Sequence, residues 1–71
     1  MSNVEQADLL TIALVQQLAE LDELDDAAVR KRARFARESL DLIGQLELIG
    51  GGSLGSEKLN HLRSALEAAI Q

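Results

Sequence analysis

The stretch Glu20-Leu21-Asp22-Glu23-Leu24-Asp25-Asp26-Ala27-Ala28-Val29-Arg30-Lys31-Arg32-Ala33-Arg34-Phe35-Ala36-Arg37 decides the fold. Acids crowd its first seven residues, and bases follow from position 30 onward. The segments on either side are apolar and helix-forming. The stretch therefore reads as the end of one helix, a break over 22–26, and the start of a second helix. Asp25 or Asp26 is expected to accept hydrogen bonds from the otherwise unpaired amides that begin that second helix. Opposite charge patches beside surplus apolar surface are the pattern of a chain that docks on other proteins.

Working outward, the first helix is expected over 4–21, with Ser2 or Asn3 as its cap and Glu5 and Asp8 near its positive end. Leu10, Leu14, Leu18 and Leu21 form one stripe. Leu9, Ile12, Ala13 and Val15 widen it beyond what one neighbouring helix needs. The second helix is expected over 27–49 and shows two adjoining stripes. One runs through Val29, Ala33, Ala36, Leu40 and Ile43; the other runs through Phe35, Ser39, Leu42, Leu46 and Ile49. Small residues in its first half predict close helix approach near Ala33 and Ala36, with the main core further on.

Gly50-Gly51-Gly52 should stop that helix, because glycine takes the left-handed conformation that closes a helical C-terminus. Residues 53–55 then form a turn, and Ser56 is a cap for a third helix over 57–70 with Leu59, Leu62, Leu66 and Ile70 on one face. Proline is absent and strand formers are sparse, so nothing competes with helix. The expected fold is all-α, one domain over 1–71, either a three-helix bundle or a helical hairpin with an appended third helix.

A chain of 71 residues buries only about 60% of the surface its unfolded form exposes. Small scaffolds add disulfides, a metal or a partner. Here Cys is absent and His61 is the single histidine, which leaves association as the staple. The lack of thiols fits a reducing cytoplasm. The net charge of −5 argues against a general affinity for nucleic acid or anionic lipid. The uncharged run 9–19 falls short of the ~20 residues that span a bilayer, and the first residues lack a positive leader, so a cytoplasmic, unprocessed chain without membrane insertion is expected.

No residue set points to catalysis. The acids of 22–26 lack the ligand spacing and central glycine of a Ca²⁺ loop, and capping and solubility account for them. The glycine run lacks the preceding strand and following Lys-Ser or Lys-Thr of a phosphate loop; it reads as a helix stop or a flexible spacer. His61 has no second His or Cys to share a metal. Phe35, the only aromatic residue, offers no stacking platform for single-stranded nucleic acid. Neither a metal nor another cofactor is expected.

The basic run leaves alternatives open. Arg30, Arg34 and Arg37 share a face, while Lys31 and Arg32 turn away. The run is either a solvated face with local pairs such as Asp26 with Arg30 and Arg34 with Glu38, or a docking surface for an acidic protein, or less fittingly for phosphate. Cations early in a helix oppose its dipole, which a purely structural role does not explain.

Leu9-Leu10 in an apolar helix, the charged break, Arg30-Lys31-Arg32-Ala33-Arg34, Ser39-Leu40-Asp41-Leu42-Ile43, Leu46-Glu47-Leu48-Ile49-Gly50, Ser53-Leu54, and Leu59 with Leu62 and Leu66 follow one another in a recognisable order. This order resembles the C-terminal helical region of the class II flagellar assembly regulators (FliX-type) of alphaproteobacteria. Residues 36–39 are less basic than the corresponding stretch of that family. The resemblance implies a non-enzymatic adaptor that binds an NtrC-type transcription activator and couples it to flagellar assembly. It places Arg30, Arg32, Arg34, Leu40, Leu42 and Leu46 in the matching segment as contact or core residues, and the basic run adds Arg37 to the partner-binding set. Other readings are a small type III secretion chaperone, with a secretion component as its partner, and a homodimeric structural module.

Overall fold

The computed structural model describes residues 3–70, the side chain of Asn3 excepted. Three helices make up the described chain: α1 (Asn3–Glu23), α2 (Val29–Leu48) and α3 (Gly55–Ile70), with no strand among these residues. The α1 start lies one residue before the expected one and its end two residues after, because nothing in Asp22-Glu23 breaks a helix. Of the two expected caps, Asn3 is instead the first residue of α1, and Ser2 lies outside the described residues.

The second helix begins at Val29, two residues later than expected, and its cap differs too. Its N-cap is Ala28, which provides no side-chain hydrogen bond. The Asp25 carboxylate instead accepts from the Ala27 amide at 3.4 Å, and the Asp25 carbonyl accepts from the Ala28 amide at 2.9 Å. An aspartate that bonds two residues onward builds the connecting turn and is no longer placed to cap the helix beyond it. Asp26 is drawn to Arg32 at 3.8 Å rather than to Arg30. Arg30 sits on the outer face of the first turn, whereas Arg32 points back toward the end of α1 and donates to the Leu24 carbonyl at 3.3 Å.

The glycine stop has the bonding expected of it. The Gly51 amide donates to the Leu46 carbonyl at 2.8 Å and the Gly50 amide to the Glu47 carbonyl at 3.3 Å, the paired pattern of a Schellman closure. Gly50 has φ +98°, which an L side chain rarely tolerates. The third helix starts at Gly55, so Ser56 lies inside its first turn and is not the cap.

α1 and α3 each pack along α2 and, among the described residues, make no close backbone contact with each other. That arrangement explains the two stripes of α2. Glu47 continues the Ala36, Leu40, Ile43 stripe at helical spacing and pairs with Arg63 of α3. Ile49 of the other stripe lines one hollow with Val4 and Ala7 of α1, and Leu46, Ala7 and Thr11 all lie around Gly52. Each stripe therefore serves one neighbour. Between them, Ala36, Ser39, Ile43 and Leu46 are buried with Leu14, Leu21, Leu59 and Leu66 in one core. Ser39 satisfies its hydroxyl by donating to the Phe35 carbonyl at 2.8 Å. As a small side chain beside Ala36, it lets the helices approach closely.

Candidate protein-docking surfaces

Helical spacing separates the seven residues expected to meet a partner. Arg30, Arg34 and Arg37 lie at i, i+4 and i+7 on the face of α2 that points away from the core line Ala36, Ser39, Ile43, Leu46, and all three are exposed. None pairs with a carboxylate among the described residues. The expected pairs of Arg30 with Asp26 and of Arg34 with Glu38 do not form there. The Arg34 guanidinium carbon instead stands 6.0 Å from the Phe35 ring centroid, at the outer limit of a cation–π contact. Lys31 is also exposed.

The other four do not share that surface. Arg32 is two-thirds covered and engaged with Leu24 and Asp26, so it joins α2 to the end of α1. A cation hydrogen-bonded to the last carbonyls of a helix also complements that helix's negative end. Leu46 is fully buried and offers a partner nothing. Leu40 and Leu42 are half-buried and packed against the core on the two flanks of α2. The aliphatic members of the expected set belong to the core because α2 has a neighbour on each side.

The apolar surface left open is on α1. Val4 is 71% exposed, and Leu9, Ile12 and Val15 are each more than half exposed. Val4, Ile12 and Val15 line up along one outer face with Asp8 and Ala19, and Leu9 borders it. The sequence shows this surplus as the width of the α1 stripe; only the packing shows which residues form it. Elsewhere, Val29 and Leu48 stand exposed singly. An open hollow at the charged end of the bundle is lined by Leu18, Ala19, Leu21, Asp22, Arg32 and Leu62.

Among the described residues, no group of three or more His, Asp or Glu is placed to hold a metal ion, and no helix is long and apolar enough to cross a membrane. The arrangement is suited to non-covalent docking, with a cationic outer face on one helix and an aliphatic outer face on another. No protein-family model, curated protein or solved structure matches this chain.

Proposed function

We propose that this chain is a non-enzymatic adaptor that docks on an acidic surface of a larger protein through the outer face of α2. The observation that carries the reading is the exposed triplet Arg30, Arg34, Arg37, three guanidinium groups on one face with no carboxylate partner among the described residues. Arginine side chains presented in a row match carboxylates by bidentate hydrogen bonding. Holding like charges together at the positive end of a helix costs stability, which a partner's acids would offset. The resemblance to flagellar assembly regulators gives the partner class: an NtrC-type transcription activator whose activity would follow the state of flagellar assembly.

The test is capture of the purified activator by the tagged chain, repeated with Arg30, Arg34 and Arg37 all changed to Glu. The expected result is retention by the parent chain and at least a ten-fold loss in the variant, with the helical circular dichroism unchanged, since the three side chains lie exposed on the outer face. An Arg32→Gln control should lower the melting temperature with less effect on capture. Equal capture by the triple variant would remove the basic face from the mechanism. Solubilisation of a co-expressed export substrate, with no binding to the activator, would replace the regulator with a secretion chaperone.

A further inference from the structure

We propose that the outer face of α1 is a second docking surface, and that its occupant is an amphipathic helix of another protein with aliphatic residues in its middle and Lys or Arg at both ends. Two observations carry this. The first is apolar exposure: Leu9, Ile12 and Val15 are 54%, 54% and 55% exposed and Val4 is 71% exposed, with spacing that fits the ridges of a single helix laid alongside.

The second is charge. α1 has no Lys or Arg in its 21 residues. Its carboxylates lie toward the two ends, Glu5 and Asp8 near the start and Glu20, Asp22 and Glu23 near the finish, leaving residues 9–19 uncharged. Complementarity to that pattern requires cations at both ends of the occupant and none in its middle. The same pattern opposes the pairing of two α1 faces. Two α1 helices laid together, parallel or antiparallel, bring carboxylates onto carboxylates at each end. The outer face of α2 has Arg30, Arg34 and Arg37 in its first half, yet its next positions are Asp41 and Gln45, so it has no aliphatic middle to cover Ile12 and Val15.

On the outer face of α1 exposed apolar groups lie next to one another instead of singly. This surface is separate from the basic face of α2, so either docking mode can fail without the other.

The test uses the full chain, isotopically labelled, and three synthetic 18-residue helical peptides. One has a Leu/Val face in its middle and Lys at both ends. The second has Glu in place of Lys. The third has the composition of the first in scrambled order, so that it is not amphipathic. The expected result is saturable binding of the first peptide, with amide shifts concentrated in α1 around residues 8–19, and no saturable binding of the other two. Changing Ile12 and Val15 together to Gln should weaken the first peptide about ten-fold or more, while the Arg30, Arg34, Arg37→Glu variant should bind it at least as well as the parent. Equal binding of the scrambled peptide would reduce the effect to charge attraction and overturn the proposal. So would shifts outside α1, or sedimentation showing a dimer of the parent chain that the Gln variant loses. The shift map on the parent chain decides the question even where the variant is too unstable to assay.

Discussion

At the scale of single residues, polar side chains inside the bundle behave in two ways. Ser39 is fully buried and spends its hydroxyl on the Phe35 carbonyl, so it costs little. Gln17 is different: its side-chain oxygen is buried without a hydrogen-bond partner among the described residues. An unmade hydrogen bond in an apolar setting costs about 1–3 kcal/mol, whereas an apolar side chain of similar length costs nothing of that kind. Gln17→Met is therefore expected to raise the unfolding free energy by about 1 kcal/mol, seen as a higher urea midpoint at unchanged slope. A lower midpoint would mean that the amide makes a bond that outweighs its desolvation. Only the burial of Ser39 was legible in the sequence. Ser39 lies in a stripe with Phe35 and Leu42, so its burial could be anticipated, but a glutamine on the edge of a wide apolar face gives no sign of where its oxygen points.

At the scale of elements, the ends and interior of α2 contrast through their glycines. Gly44 lies within the helix, and a Cβ added there meets nothing within 4 Å. Glycine in a helix interior is less favourable than alanine by about 0.5–1 kcal/mol, so Gly44→Ala is expected to stabilise the protein by about that amount. Gly52 is the reverse case. Its φ is +61°, and a Cβ there would stand 3.3 Å from the Ala7 Cβ. Gly52→Ala should destabilise by about 1 kcal/mol or more, from backbone strain together with pressure on α1. Chemical denaturation of the two variants checks both signs. Finding Gly44→Ala destabilising would show that the helix needs a flexible or closely approached point there.

The three helices and the stop at the glycine run were readable because propensity, periodicity and glycine act locally. The start of α2 was not. Asp25 has two competing uses within a few residues, turn and cap, and the turn wins because its carboxylate reaches the Ala27 amide. Opposite-charge spacing likewise suggested Asp26 with Arg30, but the later helix start turns Arg30 outward and brings Arg32 to Asp26.

At the scale of the whole molecule, α2 is the middle helix and the other two each depend on it. A helix with neighbours on two flanks loses its protection only when both contacts open. A helix with one such neighbour can detach by itself. Native-state hydrogen exchange is therefore expected to rank the central amides of α2, around Ser39 to Ile43, as the slowest, with α1 and α3 exchanging through smaller openings. Equal protection in all three helices would mean that the bundle opens only as one unit. The Glu47–Arg63 pair tethers α3 to α2, but both side chains are about one-third exposed. A pair so situated adds little beyond the Leu59 and Leu66 contacts.

By itself the sequence determined that this chain forms three helices, where the second one stops, and that Arg30, Arg34 and Arg37 share a face, because each of these follows from residue type and a helical repeat acting over a few positions. Only the tertiary structure decided which apolar residues are spent. The breadth of the α2 stripe is consumed by two neighbours, which places Leu46 in the core and Leu40 and Leu42 on its flanks. The breadth of the α1 stripe has one neighbour and leaves Val4, Leu9, Ile12 and Val15 at the surface. Periodicity shows how wide an apolar face is, but the number of helices packed against it depends on contacts between segments far apart in the chain, and no local pattern encodes that number.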